Sequence, residues 1–346
     1  MTAPLDTRVL LVGDHPPPNG GVATHVEELF HALRSRGASC RVLDIGKGQL
    51  PAQDVIPAGG MARFSALLGW HAARGFRIHV HTSGANPKSW MLAQACAAAG
   101  RLSGGALITL HSGLGPAWLL ASPARRTLAR AVLSQFAKVI AVSGPIRDVL
   151  GQCGVREVEV VPAFIREFVV PGSPPEGLEE LRAKAAPLYC AMVAPKPEYG
   201  QQILLRAFTE VRARLPGAAL ALYGPASDQV HEAGVRAFGE LHRGQALALM
   251  AACDVFVRPT LADGDSVSVR EALALGRQVV ATAVGHRPQQ VRLVPPGDPA
   301  ALAEALLASS APAPAGSGSA LDSGLDSLRR ILSLYGVTAC AASAAS

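Results

Sequence analysis

The residues Asp263-Gly-Asp-Ser-Val-Ser-Val-Arg-Glu271 gather three carboxylates, two hydroxyls and a glycine between a strand-like run, Val255-Phe-Val-Arg-Pro259, and a helix-like run, Ser268 to Ala274. At the carboxyl end of a strand in a doubly wound sheet, a carboxylate can accept both hydroxyls of a ribose. The amides of Gly264, Asp265, Ser266 and Val267 would face the same crevice. A second candidate is Asn19-Gly-Gly-Val22, which follows the strand-like Val9 to Gly13 and opens the helix-like Val22 to Ser35. Unpaired amides and the helix dipole favour an anion there, and glycine lets a phosphate come close to the backbone. The same two glycines would equally serve a tight turn. Asp263-Gly-Asp265 also spells a D-x-D, a pattern that can hold a divalent ion against a diphosphate. Its place inside the longer pattern speaks against that use, and no metal site is expected.

These segments need a scaffold that brings strand ends together. Strand-like Cys40 to Ile45, Ile78 to His81, Ala106 to Leu110 and Val139 to Val142 alternate with helix-like Met61 to Arg74 and Trp90 to Ala99. After a Pro/Gly/Glu-rich stretch the alternation restarts. Strands then read at Leu188 to Ala194, Ala218 to Tyr223, Val255 to Arg258 and Gln278 to Ala281, with helices at Gly200 to Arg214, Gln245 to Ala252 and Ser268 to Ala274. Such alternation predicts parallel sheets covered on both faces, hence two successive doubly wound α/β domains. The expected boundaries are 1–165 for the first domain, 166–187 for a connection and 188–310 for the second domain. A flexible link at 311–320, a last helix at 321–336 with Leu325, Leu328, Ile331, Leu332 and Tyr335 on one side, and a tail at 337–346 complete the chain.

A chain of 346 residues, 49% hydrophobic and 17% charged, has the size and composition for two cores. Cys40, Cys96, Cys153, Cys190, Cys253 and Cys340 lack metal-type or redox-motif spacing and read as reduced core residues. The N-terminus has no signal-peptide pattern, and no run approaches the roughly 18 apolar residues of a membrane span. We therefore expect a cytoplasmic protein, with attachment to the inner face of the membrane as the alternative. The formal charge of +6 favours anionic partners, but the basic residues form no stripe with interleaved aromatics, which argues against nucleic acid.

The segment Asp263 to Glu271, followed by Ala272-Leu-Ala-Leu-Gly-Arg-Gln-Val-Val-Ala281, resembles the donor-site motif of family 4 retaining GT-B glycosyltransferases. Further matches stand in the family's order: Asn19-Gly-Gly-Val-Ala-Thr-His25, Thr109-Leu-His111, Val139-Ile-Ala-Val-Ser143, Val160-Val-Pro162, Leu220 to Gly224 and Ala252 to Thr260. The resemblance spans about residues 8 to 310. It implies a GT-B fold, two Rossmann-like domains facing a central cleft, with a nucleoside-diphosphate sugar as co-substrate and no further cofactor. By position it implies that Glu271 holds the donor ribose and that Asp263 and the Gly264 to Val267 amides contact the transferred sugar. It also implies that Gly20 and Gly21 lie against the diphosphate and that His111 touches the transferred sugar.

Two departures stand out. The family usually carries Glu at position 263, so the donor sugar is left open. It also holds the diphosphate with an Arg and a Lys where this chain, aligned on Gly200, has Ala194 and Tyr199. Positive charge is needed as the leaving diphosphate gains charge. Lys196 in the same loop is the best substitute, with Arg258 and Arg270 as more distant ones.

The resemblance further implies transfer with retention to an acceptor hydroxyl, in cell-surface polysaccharide or glycolipid assembly. The acceptor would be a saccharide or lipid-linked saccharide on the first domain. Pro123 to Lys138, with Leu128, Val132 and Phe136 on one side and Arg125, Arg126, Arg130 and Lys138 nearby, suits an anionic membrane surface or, more simply, a packed helix with a basic face. Alternatives to a transferase are a nucleotide-sugar epimerase of the same fold and a catalytically impaired partner subunit that kept nucleotide-sugar binding.

Overall fold

A computed structural model of the chain describes residues 7–16, 20–47, 51–111, 113–225, 227–309 and 323–336. It divides into two compact units, one running to Ile165 and regaining the chain's last helix, the other beginning at Arg166.

The first unit is built on seven parallel strands: β1 (Arg8–Gly13), β2 (Ser39–Asp44), β3 (Val55–Pro57), β4 (Arg77–Thr82), β5 (Leu107–Leu110), β6 (Lys138–Ala141) and β7 (Val158–Val160), in the order β3-β2-β1-β4-β5-β6-β7. Between them run α1 (Gly21–Ser35), α2 (Met61–Ala73), α3 (Pro87–Gly100), α4 (Leu114–Leu120), α5 (Pro123–Leu133) and α6 (Gly144–Gln152). Continuous apolar runs mark the central strands because both faces are covered. Val9, Leu10, Leu11 and Val12 of β1 are all fully buried.

The second unit contains α7 (Leu178–Lys184), β8 (Leu188–Met192), α8 (Gln201–Arg214), β9 (Ala219–Tyr223), β10 (Val235–Ala237), α9 (Arg243–Ala252), β11 (Val255–Arg258), α10 (Val267–Ala274), β12 (Gln278–Thr282), β13 (Arg292–Val294) and α11 (Pro299–Ala308). Its six parallel strands stand in the order β10-β9-β8-β11-β12-β13. Period-two alternation divides its core: Tyr189 and Ala191 pack with Leu204, Phe208 and Leu306 on one face, whereas Leu188 and Cys190 pack with Leu249, Met250 and Val269 on the other. In each sheet the strand order reverses once, between β1 and β4 and between β8 and β11. Loops leaving the carboxyl ends of those strands are where ligands of doubly wound sheets bind.

Two segments differ from expectation. The stretch 166–187 is more than a connection, because Leu178 of α7 is buried against Leu188 and the second core. Val132 and Phe136 are buried while Leu128 is 42% exposed, and α5 ends at Leu133 before Phe136, so these three do not form one exposed apolar stripe. The last helix, α12 (Ser323–Leu334), belongs to the first unit. Leu328, Ile331, Leu332 and Tyr335 are buried, Arg77 of β4 donates to the Leu334 carbonyl, and Arg330 donates to the Val160 carbonyl. Residues 311–320, Cys340 and the tail lie outside the described residues, as does Asn19.

Candidate functional site

In the second unit, the chain leaves β11 at Arg258 and enters α10 at Val267, so residues 259–266 form a short loop at the switch-point end of the sheet. Asp263 lies at the centre of an ionic cluster. Its Oδ2 accepts from Arg258 Nε at 3.2 Å, Arg287 Nη2 at 3.1 Å and Thr260 Oγ1 at 3.3 Å, while Oδ1 accepts from the Gly264 amide at 3.0 Å. Burial alone would raise its pKa, but Arg258 and Arg287 outweigh burial and bring the net shift below the ordinary value. The Gly264 amide, expected to face a ligand, is therefore engaged by the Asp263 side chain.

Asp265 points elsewhere. Arg270 grips it bidentately, Nε to Oδ1 and Nη2 to Oδ2 both at 2.8 Å, in a pair that is almost wholly buried. This arrangement ties the loop to the first turn of α10 and uses up Arg270 as a phosphate ligand. The two aspartates of the D-x-D thus serve different arginines. Among the described residues, no group of three or more His, Cys, Asp or Glu is placed to hold a metal ion. Ser266 precedes the helix, and its Oγ lies 3.1 Å from Ser268 Oγ.

Glu271 lies on the buried face of α10, one turn in. Its Oε1 pairs with Arg243 Nη1 at 2.9 Å, with side chains 7% and 22% exposed. Burial raises the Glu271 pKa and Arg243 opposes the rise. Arg243 opens α9, directly after the stretch Gly239 to His242, and the Gly239 carbonyl takes the Gly224 amide beyond β9. Lys196 is exposed, between β8 and the short 3-10 turn Pro197–Tyr199. Two glycines let these loops come together. A Cβ on Gly200, whose φ is +69°, would stand 1.9 Å from the Pro259 carbonyl oxygen, and one on Gly285, φ +65°, 2.4 Å from that of Gly264.

In the first unit, Gly20 precedes α1 in an extended conformation, and a Cβ at Gly20 or Gly21 would meet nothing within 4 Å. Among the described residues, neither backbone conformation nor internal packing calls for glycine here. His111 follows β5; its amide donates to the Thr82 carbonyl and its Nε2 lies 3.1 Å from His81 Nδ1. His25 of α1 completes a triangle, with ring centres 5.4 Å from both His81 and His111. His79, two residues before His81 and so on the same face of β4, lies with its ring centre 4.2 Å from that of His81 at a 39° tilt, and its ring nitrogens meet Thr109 Oγ1 at 2.8 Å and the Tyr335 hydroxyl. Burial is the chief cause that lowers all four pKa values, to about 4 for His25 and about 3 for His79, so the imidazoles are neutral at pH 7.

Sequence reasoning singled out His111 but missed the three histidines behind it; the alternation His79-Val-His81 was the available signal. It also missed Arg287 and the pairing of Arg243 with Glu271; the two arginines lie 16 residues after and 28 before Glu271 and show no local pattern.

The geometry accords with known proteins. Residues 187–310 match the family model for glycosyl transferases group 1, and residues 19–166 match that for glycosyltransferase family 4. No curated protein sequence matches significantly. Among solved structures, a sucrose-phosphate synthase from Thermosynechococcus elongatus is 19% identical, with a TM-score of 0.66 over 95% of each chain. A glycosyltransferase from Rickettsia africae ESF-5 is 15% identical, with a TM-score of 0.66 over 96% of this chain and 98% of that one. A UDP-forming α,α-trehalose-phosphate synthase from Burkholderia xenovorans is 14% identical, with a TM-score of 0.65 over 95% and 97%. With a family match on each unit and the GT-B arrangement of two Rossmann-like sheets, the chain belongs to the family 4 glycosyltransferases.

Proposed function

We propose that this glycosyltransferase moves a sugar from a nucleoside-diphosphate sugar to an acceptor hydroxyl with retained configuration, in cell-surface polysaccharide or glycolipid assembly. The observation that carries the donor assignment is Glu271, a buried carboxylate at the switch-point edge of the second sheet, held by Arg243. Glu271 accepts the ribose hydroxyls. Asp263, Ser266 and the amides from Asp265 to Val267 form the sugar end, with Gly264 held by Asp263 and Asp265 acting as the strut that fixes the loop through Arg270. Lys196 brings mobile positive charge from the exposed rim.

On the first unit, Gly20 and Gly21 offer uncovered backbone to phosphate, and His111, neutral and anchored by His81, offers a hydrogen-bonding group to the transferred sugar. In front-face transfer the departing phosphate takes the acceptor's proton, and the protein's work is positioning and charge stabilisation. No resident cofactor or metal enters this scheme. A saccharide or lipid-linked saccharide is the acceptor. Support for a membrane surface is confined to Arg126 and Arg130, which line a groove of about 550 Å³ beside Thr127, Ser134 and Gln152. No helix among the described residues is long and apolar enough to cross a membrane.

A second reading, a partner subunit that binds the donor without turning it over, is favoured by Ala194 and Tyr199 standing where relatives carry cations. Incubation with nucleotide sugars, with and without a panel of glycan and lipid-linked acceptors, separates these readings. Released nucleoside diphosphate and a product of retained anomeric configuration are expected. An inverted product refutes retention, persistent binding without turnover favours the partner subunit, and an isomerised donor without acceptor points to an epimerase.

A further inference from the structure

Resting on that donor-site reading, we propose that the fixed positive charge for the diphosphate comes from Arg258 at the end of β11, held by Asp263 and backed by Arg287, rather than from the loop after β8. The loops after β8 and β11 flank the point where the sheet order reverses. They are pressed together there. Gly200 abuts Pro259, and the Leu261 amide donates to the Glu198 carbonyl at 2.8 Å.

At this junction the Arg258 guanidinium carbon lies 5.2 Å from the centre of the Tyr199 ring, within cation–π range. Tyr199 stands where the family resemblance implies a lysine, so the Arg258 guanidinium supplies positive charge at the same junction from the neighbouring strand end.

The surroundings of Arg258 fit a fixed, forked donor. Nε is tied to Asp263 Oδ2 at 3.2 Å, and Nη1 approaches Met192 Sδ at 3.6 Å. Arg287, whose side chain is 3% exposed, donates to the Thr282 and His286 carbonyls, to Thr260 Oγ1 and to the same Asp263 oxygen. Arginine stays protonated in proteins. Two guanidiniums around one carboxylate leave the cluster a net positive charge, and Arg287 shares the Asp263 oxygen that holds Arg258.

This also accounts for aspartate at position 263. A side chain one methylene shorter than the usual glutamate keeps its carboxylate at the root of the loop, where both arginines reach it. Asp263 and Arg287 are then positioning residues for Arg258. Lys196, by contrast, is an exposed lysine on a flexible stem, a point charge without the fork that matches phosphate.

The test uses the full chain and titrates UDP, GDP and ADP, then the nucleoside monophosphate and nucleoside of the tightest binder, against wild type, Arg258→Gln, Arg258→Lys and Lys196→Ala. Circular dichroism and melting curves check that each variant is folded. Arg258→Gln is expected to weaken the diphosphate roughly 10- to 100-fold, the range of a lost charge-assisted hydrogen bond, with the nucleoside within about twofold. Arg258→Lys should recover part of the loss, and Lys196→Ala should weaken the diphosphate clearly less than Arg258→Gln does. Equal weakening of nucleoside and diphosphate would show a structural role and overturn the inference, as would a loss that follows Lys196 instead. Diphosphate binding indifferent to Arg258 overturns this inference alone. Failure of every nucleotide to bind wild type overturns the donor-site reading and this inference with it. If Arg258→Gln does not fold, Arg258→Lys decides: undiminished diphosphate affinity in that variant refutes the need for a fork.

Discussion

Replacing His25 with leucine should make the first unit more resistant to acid. His25 is buried to 1% exposure, and among the described residues its ring nitrogens make no hydrogen bond of ordinary geometry, only a weaker approach to the Ala163 backbone. Burial holds its pKa near 4 against an ordinary 6.5, with the Ala163 backbone opposing in part. Because the folded-state pKa is depressed, the unfolded chain takes up the proton first. Stability is therefore full above pH 6.5 and is lost as pH falls from 6.5 towards 4, levelling off below that. At pH 5 the proton on the unfolded chain amounts to about 2 kcal/mol for His25. His79, near 3, adds about 2 kcal/mol, and His81 and His111 act in the same direction. Against a total stability on the order of 5–15 kcal/mol, this loss is a substantial part of the acid response.

The three tryptophans, Trp70, Trp90 and Trp118, all lie in the first unit, so intrinsic fluorescence in urea follows that unit. His25→Leu gives up only the weak approach to the Ala163 backbone and should be neutral or stabilising at pH 7.5. Between pH 7.5 and pH 5 it should lose about 2 kcal/mol less than wild type. An unchanged pH dependence in the variant, or a wild-type unit more stable at pH 5 than at pH 7.5, would refute the reasoning.

Other expectations follow from single contacts. Asp265→Asn strands the buried Arg270 charge and should cost the second unit about 3 kcal/mol in urea unfolding followed by circular dichroism. Gly200→Ala, forced against Pro259 at positive φ, should cost about 2 kcal/mol or more. Gly20→Ala, with nothing near its Cβ, should leave stability within about 0.5 kcal/mol while nucleotide-sugar turnover falls. Ile331→Ala in α12, a fully buried site, should lower the stability reported by tryptophan fluorescence by about 3 kcal/mol, which checks that this helix is integral to the first unit.

The repeating strand and helix runs were legible because parallel strands covered on both faces must be apolar throughout, as Val9 to Val12 and Val255 to Val257 are. Short edge strands such as Val55–Pro57, Val235–Ala237 and Arg292–Val294 escaped notice, being only three residues long and partly exposed. The helix α7 was hidden by its proline- and glutamate-rich surroundings, where Leu178 is the one buried residue. At the site, the position of Asp263 to Glu271 after a central strand was readable from order alone. Its ionic partners were not. Arg243 opens α9, Arg258 ends β11 and Arg287 follows β12, and no spacing in the chain encodes which guanidinium faces which carboxylate.

The donor site itself is tested most directly by scanning calorimetry of wild type and Glu271→Ala with nucleoside diphosphates and their sugars. At 100 times its Kd a bound nucleotide stabilises the folded unit by about 2.7 kcal/mol, a shift of roughly 5–10 °C for a unit of this size. We predict such a shift in wild type for at least one nucleotide and its loss or marked reduction in Glu271→Ala. No stabilisation of wild type by any nucleotide, or an equal response from Glu271→Ala, would contradict the account.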